Sequence, residues 1–481
     1  MTLPKPNQQV LICGGGPSGL AAALLFADLG WNDVVLVERR AGPADFELNK
    51  AFNYQIDPRG QQLLIKIGVA AMLEHYGVAN DDFKLGVAGP DGVLKKVAPP
   101  IINPLRGRCY WIRRANFQQM LFDAITARGG SRIRLLYGHK FSGFVDHADG
   151  RTGATVSGPD GQTIALTPDL VLGCDGLSSQ VRAALASHPD VPDDHFRMIE
   201  HPSKSAGLAY KVLSLPPGLS IRSEAGVTAL DDHRMCYLLS SAPKPRNAAL
   251  TLAAFPISNN QEPRSANIIR EPDHKIWKLK TVDTLFEFLI NALPQLEIRS
   301  LITVEQAEAF LTTEPGRFPI PQYASHVHTS LGSSAVQVLL VGDAGHAFPP
   351  DLGLGVNSAL EDLLCLARHL ENTPGKLQTA CSNFEKERLP QNAALVRLVQ
   401  TVFPEQYGHM PWRLKLWIFG FVVRKLLNRI APFAFDKHAF LLVQEHWLSF
   451  DEIEKMKVRT DQRVRLIGAG LVLALMMILF A

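Results

Sequence analysis

The sequence predicts an α/β protein: a parallel sheet assembled from distant segments, interrupted by a mainly antiparallel sheet and followed by helices. Three observations point there. QVLIC, DLVLGCDG and VQVLLVGDAG are short apolar runs that end on glycine or an acid, as buried parallel strands do. Residues 186–325 are instead rich in proline and alternate apolar with polar residues, as in GLAYKVLSLPPG, which reads as antiparallel strands. From about residue 355 the pattern turns helical, in SALEDLLCLARHL and LQTACSNFEKERLPQNAALVRLVQTVF.

The first elements are strand, glycine turn, helix and strand: QVLIC, GGGPSG, LAAALLFADLG and DVVLVE. Gly14, Gly16 and Gly19 make a G-x-G-x-x-G that opens a helix through Pro17 and Ser18. Glu38, followed by Arg39, ends the second strand. In that context the spacing marks a Rossmann-like dinucleotide site. The first glycine permits the turn, the second lets a pyrophosphate approach the backbone, and the third packs helix on strand. The free N–H groups of the helix start face the phosphates, and Glu38 accepts from ribose hydroxyls. The motif takes either NAD or FAD.

Further along, YWIRRANFQQMLFDAI begins a helix at Arg113 and Arg114. Asp175 follows a strand in LGCDGLSSQVR, with Arg182 shortly after. By itself Asp175 reads as an Asx turn, and the arginines as a solvated helix face. Asp343 also ends a buried run, in LLVGDAGHAFPPDLGLGVN. There Pro350, Gly353 and Gly355 keep the backbone bare before a helix at Val356 and Asn357. These features in this order imply one shared ligand. His346 is expected to hydrogen-bond the loop rather than move protons. The His326–His328 pair stands without a carboxylate cluster, so no metal is expected. The polar stretch 255–275 is expected to be a surface loop.

The chain has 481 residues, enough for two or three domains, and a net charge of +3, which does not suit a nucleic-acid binder. Six scattered cysteines lack any C-x-x-C spacing, against a zinc site or a disulfide framework. The polar start MTLPKPNQQ is no signal peptide. Residues 466–481 are apolar throughout and follow Lys455, Lys457, Arg459, Arg463 and Arg465. As a helix they would span about 24 Å, against about 30 Å of hydrocarbon. A membrane tail anchor is expected, with the main body on the cytoplasmic side; the alternative is a last core helix. Residues 412–428 read equally as a second membrane-contacting helix or as one packed on the core.

In its motifs the chain resembles the FAD-dependent aromatic hydroxylases, the single-component flavin monooxygenases. Their early GxGxxG, middle D-G and late G-D are here GGGPSG, CDG and GDAGH. The resemblance implies that Asp343 holds the ribityl chain of FAD and that Pro350 and 353–357 pass beside the flavin ring. It implies that Arg114 contacts the flavin side, Asp175 the cofactor, and Glu38 the ribose. NADPH or NADH would bind transiently, O2 would be the oxidant, and no catalytic side chain would be needed. Within the family the likeness runs towards the kynurenine-hydroxylating branch, through FNYQIDPRGQQLL (Asn53, Arg59 and Gly60) and GLAYKVLSLPPG.

There are departures. Leu354 stands where the family has glutamine, and residues 81–110 offer only Lys84 near the position of the carboxylate-binding arginine. Lys84 and Asn357 are therefore the substrate candidates. The expected function is hydroxylation of an aromatic, kynurenine-like substrate. The alternatives are a membrane flavin monooxygenase or reductase acting on a lipophilic quinone or isoprenoid, and a flavoprotein without turnover. A eukaryotic source would imply the mitochondrial outer membrane. The expected domains are 1–185 and 326–375 for FAD, with part of the substrate pocket near 80–110, and 186–325 for the substrate sheet. C-terminal helices over 376–462 and the tail over 463–481 complete the chain.

Overall fold

The computed structural model describes residues 8–480 except 46–51, 100, 129–131, 149, 242–244, 246–247, 334, 405 and 408–410; of Pro411 and 471–480 it describes the backbone alone. The three apolar runs are neighbours in one sheet. Its order is His328–Leu331, Val336–Leu340, Leu170–Gly173, Gln9–Cys13, Asp33–Glu38 and Ile133–Tyr137. All pairings are parallel except that of His328–Leu331 with Val336–Leu340. Val10, Leu11, Ile12, Val338 and Leu339 are wholly buried, because helices cover both faces of a parallel sheet. The register aligns Cys13 with Gly173, and Gly173 with Leu340. The turns after all three strands therefore leave the sheet at one edge, where open α/β sheets hold ligands.

A second sheet of seven strands runs in the order Gly316–Arg317, Ala209–Leu215, Arg264–Arg270, Thr251–Ala254, Cys236–Ser240, Leu85–Ala88 and Leu94–Val97. Helices Val282–Ala292, Ile298–Leu301 and Val304–Thr312 cover one face through Leu285, Phe286, Leu289 and Phe310. Along Ala209–Leu215 the odd-numbered residues are buried on that side, and Tyr210, Val212 and Ser214 take the other.

Two expectations change here. The sheet is not confined to 186–325: Leu85–Ala88 joins it, parallel to Cys236–Ser240. The stretch 255–275 is not only loop, since Arg264–Arg270 pairs with Ala209–Leu215 and with Thr251–Ala254. Its terminal arginines hide the alternation. Arg264 is buried and donates to the carbonyls of Met235 and Phe255, both at 2.9 Å, which satisfies its charge without solvent.

The C-terminal region is helical. Leu377–Val402 packs on Gly355–Asn372, and the 31-residue helix Phe450–Phe480 packs on Leu377–Val402 through Arg397 and Glu454. All six cysteines are buried and unpaired. Among the described residues no helix is long and apolar enough to cross a membrane. The expected tail, 463–481, continues a helix whose first turns are packed. Its side chains from 471 on lie outside the described residues. Helix Pro411–Ile430 packs on the core through one face and leaves another exposed. Trp417 and Phe421 pack inward against Phe403 and His438, while Trp412, Leu416, Phe419 and Leu426 are exposed.

Candidate active site

Gly14 has φ +107°, and a Cβ there would lie 2.4 Å from the carbonyl oxygen of Cys174. A Cβ on Gly19 would lie 1.8 Å from the Gly14 oxygen. These two glycines let strand, turn and helix close on one another. Around Gly16 nothing lies within 4 Å of a Cβ, and helix Pro17–Asp28 has no side-chain cap. The helix start therefore offers bare N–H groups to open space, which fits a pyrophosphate. Glu38 is buried at the next strand end. Its Oε2 accepts from Gly15 N–H at 2.6 Å, and its Oε1 from Arg40 N–H and Nε at 2.9 and 3.0 Å. Burial raises this carboxyl, but Arg40 and the amides outweigh it and hold it below its ordinary value. It thus stays ionised, as a ribose acceptor must. Arg39 follows it and is exposed.

The middle and late motifs meet across the sheet edge. Asp175 caps helix Gln180–Ala186, accepting from the N–H groups of Gln180 and Val181 at 2.6 and 3.1 Å. So Oδ2 is tied to a helix start five and six residues on rather than to an Asx turn, while Oδ1 is buried with no partner among the described residues. Arg182 donates to the carbonyl of Ala344 at 2.6 Å and ties this turn to the next. There Asp343 is exposed between buried Gly342 and Ala344. It lies close enough to Tyr54 to act on its hydroxyl, which is hydrogen-bonded to Arg114; burial first of all pushes that phenol up to about 12. A Cβ on Gly342 would come within 3.3 Å of Ser18 Oγ, so the early and late loops adjoin.

The loop that follows is held from behind. His346 Nε2 and Asp362 Oδ2 are 2.8 Å apart, Gly342 N–H donates to the same oxygen at 2.9 Å, and Arg388 Nε donates to Oδ1 at 2.8 Å. Burial raises Asp362, yet His346 and Arg388 bring it below its ordinary value. His346 is thus a structural partner, as expected. Glu361 joins Arg388 at 2.9 Å to Arg59 at 2.5 Å. The sequence shows Asp362 and Arg388 only as charges on helices and did not flag them.

Gly353 has φ +65°, and nothing lies within 4 Å of a Cβ on it or on Gly355. Pro350 is exposed, so this stretch borders open space as a ring-bearing cleft requires. Leu354, in place of glutamine, turns away and packs with Leu395 and Leu398 of the C-terminal helices. Val356 packs against the main core.

Both substrate candidates are engaged by other residues of the protein. Asn357 is 1 % exposed. Its Nδ2 donates to the carbonyls of Gln55 and Gly353 at 2.8 and 3.1 Å, and its Oδ1 accepts from Asp57 N–H at 3.1 Å. It fastens the loop to strand Asn53–Ile56 and has no free group for a substrate. Lys84 is exposed and paired with Asp82 at 2.7 Å.

Residues the sequence did not flag form the wall between the sheets. Phe52 meets Tyr54 at 5.4 Å and Tyr210 at 6.4 Å. Tyr210 meets Phe318 at 5.4 Å, and Phe318 meets Tyr407 at 5.6 Å. Single aromatics scattered over 355 residues carry no local signal. His326 contacts Glu385 at 3.2 Å and His328 contacts Gln337 at 2.8 Å. Elsewhere Cys365, His369 and Glu387 bring ligand atoms within 4.8 Å of one another, with the Arg368 guanidinium already on Glu387.

The cradle of bare N–H groups, the ionised acid at the strand end and the exposed acid of the late turn fit FAD. Comparison with known proteins agrees. The sequence matches the family described as FAD binding domain over residues 7–207 and 294–398. It is 25% identical over 479 residues to the kynurenine 3-monooxygenase of Salinispora arenicola, covering 98% of this chain and 95% of that one. It is 24% identical over 429 residues to the kynurenine 3-monooxygenase of Sus scrofa, covering 89% and 82%. In fold it is similar to the anhydrotetracycline hydroxylase OxyS of Streptomyces rimosus, with a TM-score of 0.57 at 18% identity, covering 93% and 75%. The chain belongs to the FAD binding domain family and is an FAD-dependent monooxygenase of the aromatic-hydroxylase kind.

Proposed function

We propose that the enzyme hydroxylates the ring of kynurenine or of a related aminoaryl ketone, with NADPH or NADH and O2 as co-substrates. The carrying observation is the near full-length likeness to kynurenine 3-monooxygenases, joined to the aromatic wall from Phe52 to Tyr407. Bound FAD supplies the reduction by nicotinamide and the activation of oxygen. This chain's own residues bind and orient. The helix start at Pro17 and Ser18 takes the pyrophosphate, with Gly14, Gly16 and Gly19 clearing its path. Glu38, with Arg39 beside it, takes the ribose. Asp343 holds the ribityl hydroxyls, Arg114 the flavin side and Asp175 the region between the loops. Pro350, Gly353, Gly355 and Val356 bound the ring face. Residues 1–185 with 326–375 act as the FAD domain, and the sheet of 186–325, extended by Leu85–Val97, closes over the substrate.

The test is NADPH oxidation by the purified protein with and without L-kynurenine, read with oxygen uptake and product analysis. Stimulated turnover that yields 3-hydroxykynurenine is expected. A yellow, FAD-loaded protein whose oxidation rate ignores L-kynurenine would remove this substrate while leaving the monooxygenase in place.

We also propose that the C-terminal region meets a membrane surface. Trp412, Leu416, Phe419, Leu426, Ile430 and Leu466 are exposed, and Arg413, Lys415, Lys425 and Arg429 lie among them. That mixture suits an interfacial helix on anionic lipid.

A further inference from the structure

One buried acid beside the cleft has no part in that reading. Asp351 sits in the short turn Pro350–Leu352, between exposed Pro350 and left-handed Gly353. It is 6 % exposed. Its Oδ2 accepts from Ser205 Oγ, at the entry to strand Ala209–Leu215. Its Oδ1 is buried and has no hydrogen-bond partner among the described residues. The acid lies close enough to Tyr407 to raise that buried phenol, after burial itself. It thus stands at the far end of the aromatic row that begins at Tyr54 beside Arg114 and Asp343. Burial pushes its own carboxyl up to about 6, with Ser205 pulling the other way, so near neutral pH it is mainly an anion, and among the described residues no cation is paired with it.

A buried acceptor left unmade costs about 1–3 kcal/mol, more when charged. Pinning Ser205 uses one oxygen only. The remaining oxygen belongs to the turn Pro350–Leu352, and the Ser205 that holds its twin stands two residues before Gly207, whose N–H donates to the Phe318 carbonyl at 3.0 Å. We propose that Asp351 Oδ1 accepts a hydrogen bond from an amino or hydroxyl group carried on the substrate ring, and so selects donor-bearing aromatics over bare ones. This rests on the monooxygenase reading above, and it names a property that reading leaves open. An aryl amine brings an N–H to the carboxylate; the analogue without it strands the anion. A site built around such a bond rejects the analogue strongly.

The experiment is a binding titration on the FAD-loaded, full-length protein, read by the shift of the oxidised flavin absorption band. The probes are 2-aminoacetophenone and acetophenone, at pH 7.5. The wild type is expected to prefer the amino compound by about 10- to 100-fold, the range of one hydrogen bond to a charged group. Asp351→Leu should abolish the preference. Asp351→Asn, which keeps size and one acceptor, should lower it at least about threefold and serves if the leucine variant does not fold. Ser205→Ala should keep the preference, because it frees the acid without removing it. Equal preference in wild type and Asp351→Asn, or none in the wild type, overturns the assignment. Loss of preference in Ser205→Ala as well as in Asp351→Asn also overturns it, since the acid would then act only as a pin. The titration needs no turnover, so a protein that binds selectively but consumes no NADPH would sink the proposed reaction and not this contact.

Discussion

Asp343 is exposed although Gly342 and Ala344 on either side of it are buried. A carboxylate held out of a buried turn into a cleft is placed to hold a polyol. Asp343→Ala should therefore cut retained FAD about tenfold or more, the worth of a hydrogen bond to a charged group, with an unchanged far-ultraviolet circular dichroism spectrum. Full flavin content in the purified variant would refute this role. Two buried acids of the loop respond to pH in opposite senses. Asp362 is held low by His346 and Arg388, so it contributes stability that is present above the unfolded carboxyl value, ~3.9, and lost as pH falls through its folded value. Asp351 is held up to about 6 by burial, so its contribution is complete below ~4 and lost as pH rises through about 6; its charge also pushes the Tyr407 phenol up, after burial itself. Asp351→Asn should accordingly raise the melting temperature of the ligand-free protein at pH 7.5, by a gain of up to about 3 kcal/mol for a shift of two units, and leave it nearly unchanged at pH 4. Melting curves that coincide at pH 7.5 would show that the acid carries no burial penalty. Asp343 was legible because it ends a hydrophobic run. Asp362 and Arg388 were not, because a charge on a helix reads as solvated until its partner arrives from another helix.

Among the elements, the opening strand, turn and helix were legible almost residue by residue. Close packing there demands glycine at fixed spacing, and that demand is local. The clearest case is Gly19, where a Cβ would sit 1.8 Å from a backbone oxygen that no rotamer can move. Gly19→Ala should cost about 1–3 kcal/mol through overpacking and lower FAD content together with thermal stability. Normal flavin loading at wild-type stability would mean that the turn tolerates a different path. Strand Arg264–Arg270 was mistaken for loop, because its buried arginines depend on carbonyls from residues 235 and 255. Lys84 was chosen for its position in the sequence, and only the structure shows its ammonium paired with Asp82.

At the scale of the whole molecule, two sheets meet over a cleft and the C-terminal helices brace the loop from behind. Arg59 carries that bracing. It bonds Glu361 at 2.5 Å and the carbonyl of Leu448 at 2.8 Å, and its guanidinium lies 4.3 Å from the centre of the Phe450 ring. Helix Phe450–Phe480 buries Phe450, Ile453 and Thr460, and from 461 to 470 none of its residues is buried. Removing residues 466–481 should leave melting temperature and FAD content at wild-type values and move the protein from the membrane fraction to the supernatant. Sedimentation with membranes after truncation would assign the contact to Pro411–Ile430, and a drop in melting temperature would place the tail within the fold.

By itself the sequence determined the parallel sheet, the dinucleotide turn and the three acids at strand ends; the choice of FAD over NAD came from the family resemblance those motifs carry. Each of these depends on residue type at short spacing, where backbone geometry leaves few choices. Only the tertiary structure decided which charges are buried, that Asn357 is a fastener and Lys84 a surface cation, and that aromatics from residue 52 to residue 407 form one wall. Those properties belong to pairs of residues far apart in the chain, and they exist only once the two sheets and the helices behind them have packed.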